Sequence, residues 1–254
     1  MHDTQTRIGH SLIQHGPFSS RVYLMKLDRR DLPGLPGRLH QMAHENGYRK
    51  IFCKIPRDAI QPFLDDGYHI EAVIPGFYQR TTDAMFLASF VDPDRALEPY
   101  AEAIQQILAK ARERVVVPFP GPPPGFNLRP CVPGDVEPMS WLYQQVFSTY
   151  PFPIHDPDYL RDTMASHVAY FCVCKGEHII ALASAEMDRD GANVEMTDFA
   201  TLPEFLGHGL AYCLLGTMEK AMRNAGMRMS YTIARALSPG MNITFAKGGY
   251  IYDG

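Results

Sequence analysis

Apolar residues recur at every second position in some stretches of the chain and at every third or fourth in others, and the switches between the two periods mark out strands and helices. In the first half the pattern predicts strands over Arg21–Leu27, Lys50–Ile55, Tyr68–Ile74 and Ala84–Phe90. Helices are predicted over 37–46 and 58–65, and a more polar one over 99–114. In the second half it predicts a strand over 126–129 and helices over 138–147 and 158–165. Three strands follow (168–174, 178–186, 193–200), then a long helix over 209–225, a strand over 228–234 and a last helix over 241–247. Along the long helix Leu210, Cys213, Leu214, Met218, Ala221, Met222 and Ala225 fall at three- and four-residue steps, so one face packs on a sheet. Strands interleaved with helices on this scale predict an α/β fold with mixed sheets.

Pro118, Pro120, Pro122, Pro123 and Pro124, with Gly121 and Gly125, break helix and ladder alike. Residues 115–125 are therefore expected to form a semi-rigid linker between an N-terminal α/β domain, 1–114, and a second domain, 126–254. The two halves carry an internal echo. Phe63-Leu64-Asp65-Asp66-Gly67-Tyr68 and Phe245-Ala246-Lys247-Gly248-Gly249-Tyr250 share Phe, Gly and Tyr in register, each after a strand and a short helix. The shared order makes a degenerate duplication a reasonable expectation.

Composition narrows the classes. With 254 residues, 46% hydrophobic, 20% charged and a formal net charge of −4, the chain has no global basic field for nucleic acid or an anionic membrane surface. It shows neither a basic start followed by an apolar run nor a stretch of spanning length, so a cytoplasmic address is expected. The five cysteines (Cys53, Cys131, Cys172, Cys174, Cys213) are odd in number and show no Cys-x-x-Cys spacing. Buried thiols in a reducing compartment are the reading that follows, and no metal is expected.

The chemistry concentrates where the strand 193–200 runs through Thr201-Leu202-Pro203-Glu204-Phe205-Leu206-Gly207-His208-Gly209 into the long helix. Two glycines at a strand-to-helix turn place unsatisfied helix N–H groups, and the positive end of the helix dipole, where a pyrophosphate can approach closely. The turn alone reads equally well as a plain tight turn. It lacks the Lys-Ser/Thr of a P-loop and the third glycine of a dinucleotide fold.

The region from Phe126 to Tyr250 resembles the GNAT acetyltransferases in element order and motif. Gly207 and Gly209 match the glycines of that family's phosphate loop, while Glu204 stands where it has a basic or amide residue. Within the family the chain is similar to the beta-lysine N6-acetyltransferases, the acetylating partners of lysine 2,3-aminomutase. The likeness is carried by Glu195-Met196-Thr197-Asp198-Phe199-Ala200-Thr201-Leu202-Pro203-Glu204, by Tyr231-Thr232-Ile233-Ala234-Arg235-Ala236 and by Gly240-Met241-Asn242-Ile243-Thr244-Phe245-Ala246. Ser11 to Pro17 and Arg21 to Leu27 extend it into the first half. The resemblance implies an acetyl-CoA-binding fold, with a degenerate GNAT-like half ahead of it, and acetyl transfer to the side-chain amine of beta-lysine, giving a compatible solute.

Residue roles follow from the resemblance. Phe199, Ala200 and Thr201 would pair with the pantetheine arm, Leu206, Gly207, His208, Gly209, Leu210 and Ala211 would hold the pyrophosphate, and Asn242 would contact CoA or else cap the last helix. A carboxylate must take the proton of the acceptor amine, and Glu195 and then Asp198 are the candidates. Alternation places Glu195, Thr197 and Phe199 on one side of their strand and Met196, Asp198 and Ala200 on the other. A structural bond to the backbone or to Arg235 is as good a reading for either acid. Tyr150, Phe152 and Asp156 lie where the family builds its acceptor pocket, although a merely rigid loop also accounts for them. Phe245 stands at the family's usual tyrosine.

Two readings compete with this enzyme: a GNAT acting on another small amine, and a non-catalytic CoA-binding module. The family sheet continues for two further strands, and Tyr250-Ile251-Tyr252 reads as the start of the first. A truncated product, strands lent by the N-terminal half, or strands lent by a partner subunit in a homodimer are the three explanations this leaves.

Overall fold

In the computed structural model, which describes residues 2–254, the chain divides by its internal packing into two units. The first comprises the chain up to Pro99 with Thr149–Phe152 and Tyr252–Gly254. The second comprises Tyr100–Ser148 and Pro153–Ile251.

The first unit is built on a six-stranded sheet. Its strands are β1 (Thr4–Ile8), β2 (Ser11–Gly16), β3 (Arg21–Lys26), β4 (Lys50–Pro56), β5 (His69–Tyr78) and β6 (Thr82–Phe90), in the order β1-β2-β3-β4-β6-β5. Strand β3 runs parallel to β4, with helix α1 (Leu35–Asn46) as the crossover. A short helix α2 (Gln61–Asp65) precedes the β5–β6 hairpin. The alternation in β4 sends Ile51, Cys53 and Ile55 inward, where they share a core with Leu35, Leu39 and Ala43 from one face of α1.

Strands β1 and β2 lie outside the elements expected from the pattern. Thr4-Gln5-Thr6-Arg7 on the sheet edge is mostly exposed, so it shows no hydrophobic alternation for a sequence reading to find. The pair turns at Gly9, whose φ of +64° is joined by a close approach, since a Cβ there would lie 2.0 Å from Asp31 Oδ1.

The second unit holds a five-stranded sheet: β7 (Asn127–Pro130), β8 (Val168–Lys175), β9 (His178–Asp188), β10 (Asn193–Thr201) and β11 (Met229–Tyr231), in the order β11-β10-β9-β8-β7. Only β10–β11 is parallel. Every residue of β9 from Ile179 to Ala185 is buried, which requires cover on both faces of the sheet. Helices α4 (Val136–Val146) and α5 (Pro157–Ser166) supply one cover, and α6 (Leu210–Asn224) the other. Helix α7 (Pro239–Lys247) packs beside α6 and against α3 (Ala101–Arg112).

The polar helix assigned from sequence to the first domain is thus α3, a member of the second unit. Residues 115–125 have no regular structure until the turn into β7, yet part of the segment is docked. Tyr212 Oη donates to the Val117 carbonyl at 2.6 Å, and the Phe119 ring lies 4.7 Å from that of Tyr212. Phe119 also covers Gly216, where a Cβ would come within 2.3 Å of its ring. One aromatic among the prolines is enough to convert a spacer into a packed segment.

Two C-terminal expectations are corrected. The strand expected over 228–234 ends at Tyr231, where its ladder to β10 ends, and Tyr250-Ile251-Tyr252 is not in a strand. No helix among the described residues is long and apolar enough to cross a membrane.

Candidate active site

The site is organised by the parting of β10 from β11. Their pairing runs from Asn193↔Met229 to Glu195↔Tyr231 and then stops. Beyond Glu195 the edge of β10 that faced β11 has no ladder partner among the described residues, although its other edge stays paired to β9 through Thr201. A row of backbone donors and acceptors over Met196–Thr201 is therefore presented along an opening in the sheet.

A β-bulge lies within this row. Thr197 faces Ser184 and Ala200 faces Leu182, so Asp198 and Phe199 together oppose a single residue of β9. Asp198 takes a φ of +55°, a conformation that costs an L-residue about 1–2 kcal/mol but that Asp tolerates better than most. Its Oδ2 accepts a 2.5 Å hydrogen bond from Ser184 Oγ, and the carboxylate is buried. This corrects the simple alternation read from sequence. The extra residue turns Asp198 toward the Ser184 side, which is also the side of Thr197 and Glu195.

Glu195 sits directly across β9 from Glu186 and beside Tyr231 of β11. Facing side chains in an antiparallel pair lie about 4.5–5.5 Å apart at Cβ, so two carboxylates meet here with Asp198 farther along the same side. The charges of Glu186 and Asp198 reach two tyrosines. Burial first, then the negative charges of Glu186 and Asp198, push the phenol of Tyr159 on α5 above its ordinary range. Burial, then the charges of Asp198 and Glu186, do the same to Tyr170, whose hydroxyl is 2.8 Å from Thr163 Oγ1. Glu186 was not among the sequence candidates. Its signal was available only as a register: it pairs with Glu195 because β9 and β10 are joined by a hairpin around Gly191.

The glycine turn lies past the other end of β10. Pro203–Phe205 form a single 3₁₀ turn, after which Gly207 (φ +84°) and Gly209 (φ +72°) carry the chain into α6. No side chain caps α6, so its first amides, those of Leu210 and Ala211 among them, have neither an intrahelical nor a capping partner. A Cβ at either glycine would meet no atom of the protein within 4 Å. The glycines are thus required by conformation, and the space beside them is open to a ligand. Leu206 and His208 are exposed, with His208 Nδ1 3.1 Å from the Phe205 carbonyl oxygen. Glu204 lines a cleft of about 350 Å³ together with Trp141, Lys175, His178 and Phe205, and Lys175 Nζ stands 5.3 Å from the centre of the Phe205 ring. A cation therefore lies close to the turn, although Glu204 is acidic.

The remaining candidates have local duties. The Asn242 amide donates to the carbonyls of Arg235 (3.1 Å), Ala236 (3.3 Å) and Ser238 (2.8 Å), which fixes the loop entering α7. Asp156 is the N-cap of α5, its Oδ1 accepting from the Asp158 amide at 2.9 Å. Tyr150 and Phe152 belong to the stretch grouped with the first unit, where the Pro151 carbonyl accepts from the Asp3 amide at 2.9 Å and from Gln14 Nε2 at 3.3 Å. Phe245, at the tyrosine position, is buried with its ring 5.5 Å from that of Phe199.

Residues 136–238, which contain the bulged strand, the parting and the glycine turn, match the Acetyltransferase (GNAT) family. The chain is 37% identical over 97% of its length, and 89% of the relative's, to the beta-lysine N(6)-acetyltransferase of Methanococcus maripaludis. It is 42% identical to the protein of the same name from Methanosarcina mazei, over 52% of this chain and 49% of that one. It is 29% identical to the N-acetyltransferase YodP of Bacillus subtilis, over 96% of this chain and 88% of that one. The chain belongs to the GNAT family of acetyl-CoA-dependent N-acetyltransferases.

Proposed function

We propose that the chain transfers the acetyl group of acetyl-CoA to the side-chain amine of beta-lysine, giving N6-acetyl-beta-lysine, a compatible solute. The observation that carries the reading is the uncapped glycine turn of α6 following the strand that carries a carboxylate cluster at the parting of β10 and β11. The identity of the acceptor is supported by the two relatives that bear that name.

Acetyl-CoA supplies the activated acyl group. Amides from Gly207 to Ala211 hold its pyrophosphate beside Leu206, whose own amide closes the 3₁₀ turn on the Pro203 carbonyl at 3.3 Å, and the open edge of β10 at Phe199, Ala200 and Thr201 pairs with the pantetheine arm. Lys175 adds positive charge near the turn in place of the basic residue that Glu204 replaces. Asn242, its donors committed to the loop, keeps only its carbonyl for the cofactor and acts chiefly by shaping α7.

An ammonium must lose a proton before it can attack the thioester carbonyl. Glu195 accepts that proton, directly or through one water, while Glu186 and Asp198 hold the amine by charge. Asp198, turned by the bulge and bonded to Ser184, is the second candidate for the base. Attack forms the new C–N bond, the C–S bond breaks, and the CoA thiolate leaves.

The test is CoA release by the purified chain offered beta-lysine, alpha-lysine and common polyamines in turn. Turnover fastest with beta-lysine is expected. Release with another small amine alone would move the reading to that acceptor, and no release with any of them would remove the enzymatic reading.

A further inference from the structure

Outside this site the second unit gathers three of its cysteines. Cys172 and Cys174 are two apart on β8, both buried, with sulfurs 3.8 Å apart. Cys131, the residue after β7, lies opposite Tyr170 through a 2.8 Å bond from its amide to the Tyr170 carbonyl, so it is the diagonal neighbour of Cys172. Asp135, in the turn that leads into α4, closes the group. The sulfurs of Cys131 and Cys172 and a carboxylate oxygen of Asp135 lie within 4.8 Å of one another. No Cys-x-x-Cys spacing announces this cluster, because the pairing of β7 with β8 assembles it.

We propose that Cys131, Cys172 and Asp135, with Cys174 as the fourth ligand, form a binding site for a thiophilic divalent cation such as zinc. A tetrahedral centre with metal–sulfur bonds of about 2.3 Å has sulfurs about 3.8 Å apart, which is the spacing Cys172 and Cys174 already show. The Cys131, Cys172 and Asp135 ligand atoms, already within 4.8 Å of one another, need to close by about 1 Å, and Cys174, placed by its contact with Cys172, completes the set by turning its side chain.

Asp135 is held as an outer-shell arrangement would hold it. Its Oδ2 accepts from Arg129 Nη1 at 2.6 Å and from the Val132 amide at 2.8 Å, and its Oδ1 accepts from Arg129 Nη2 at 2.9 Å. Oδ1 keeps a lone pair for a metal. A divalent ion with three thiolates and a carboxylate carries a net charge of −2, which the Arg129 guanidinium partly offsets. Binding releases the thiol protons, so affinity rises with pH. A filled site clasps the edge strand β7 to β8 and to the head of α4.

The reduced, metal-free full chain titrated with cobalt(II) tests this. One equivalent is expected to bind with a sulfur-to-cobalt charge-transfer band, to be displaced by zinc, and to bind at least about tenfold more weakly in Cys172→Ser and Cys131→Ser. Cys213→Ser is expected to leave the titration unchanged. X-ray absorption of the zinc-loaded wild type counts sulfur neighbours without any variant, so a misfolded mutant does not leave the question open. Two or three sulfurs support the site. A shell of nitrogen and oxygen alone, or a charge-transfer band that survives both substitutions, overturns it.

Discussion

The two units contain the same structural step and use it differently. In each, an antiparallel run ends in a strand that passes through a turn into a helix and returns as a parallel neighbour: β3–α1–β4 in the first, β10–α6–β11 in the second. In each, a short helix then closes with the same device. Tyr68 N–H bonds to the Phe63 carbonyl at 3.0 Å past Gly67 (φ +83°), and Tyr250 N–H bonds to the Phe245 carbonyl at 3.1 Å past Gly249 (φ +87°). The Phe–Tyr ring pairs are edge-on at 5.4 and 4.9 Å. The Phe-Gly-Tyr echo seen in sequence is thus matched by the same local helix closure in both units.

The difference lies at the head of the helix. Neither helix has a side-chain cap and both have open space beside the N-cap glycine, but only the second unit enters its helix through two left-handed glycines. The first has an acidic turn instead, in which Asp31 accepts from the His10 amide, the Ser11 amide at 2.8 Å and Ser11 Oγ at 2.6 Å. Asp28 likewise accepts from the amide and side chain of Arg30. A pyrophosphate would meet carboxylates at this position. In the first unit Pro36 removes one amide of the first turn of α1, and Asp65 and Asp66 line the cleft beside Gly34 and Gly37, so an anion meets negative charge there.

The comparison can be sharpened by substitutions in either unit. The largest effect is expected from Glu195→Gln, which should lower kcat by about 100-fold or more while leaving acetyl-CoA affinity within about twofold, as measured by turnover and calorimetry. An unchanged pH–rate profile would transfer the role to Asp198 or Glu186. Asp31→Asn is expected to cost the first unit about 1–3 kcal/mol in denaturant unfolding without changing the affinity for acetyl-CoA. Burial opposes the charge on Asp31, but hydrogen bonds from Ser11 and His10 and the charge of Arg38 outweigh it and hold the carboxyl below its ordinary value. Its stabilisation is thus complete above the unfolded value near 3.8 and is lost as pH falls through the lower folded value. The variant should accordingly show a shallower acid limb of stability. The smallest effect is expected from Ser184→Ala, which removes the donor at the bulge. It should cost about 1 kcal/mol and raise KM for the amine more than it lowers kcat, checked by steady-state kinetics.

The sequence carried most of the strands and helices because their burial patterns are strong, as in Ile51-Phe52-Cys53 and along α6. It carried the glycine turn because glycine is the residue that a left-handed strand-to-helix turn requires. It did not carry β1, whose edge position needs no apolar alternation, or the docking of Phe119, which depends on a single aromatic. Glu186 and the thiol cluster stayed hidden for another reason. Both arise from register, from which residue of one strand stands across from which residue of the next, and spacing along one chain does not encode that. The bulge at Asp198 shows the same limit, since a single left-handed residue reverses the alternation on which its face had been assigned.

The most direct test of the account is the stoichiometry of acetyl-CoA binding by calorimetry, compared between Gly207→Val in the second unit and Gly34→Ala at the head of α1 in the first. One equivalent per chain is predicted, weakened about 100-fold or more by Gly207→Val and unaltered by Gly34→Ala. Two equivalents, or full affinity retained in Gly207→Val, would contradict it.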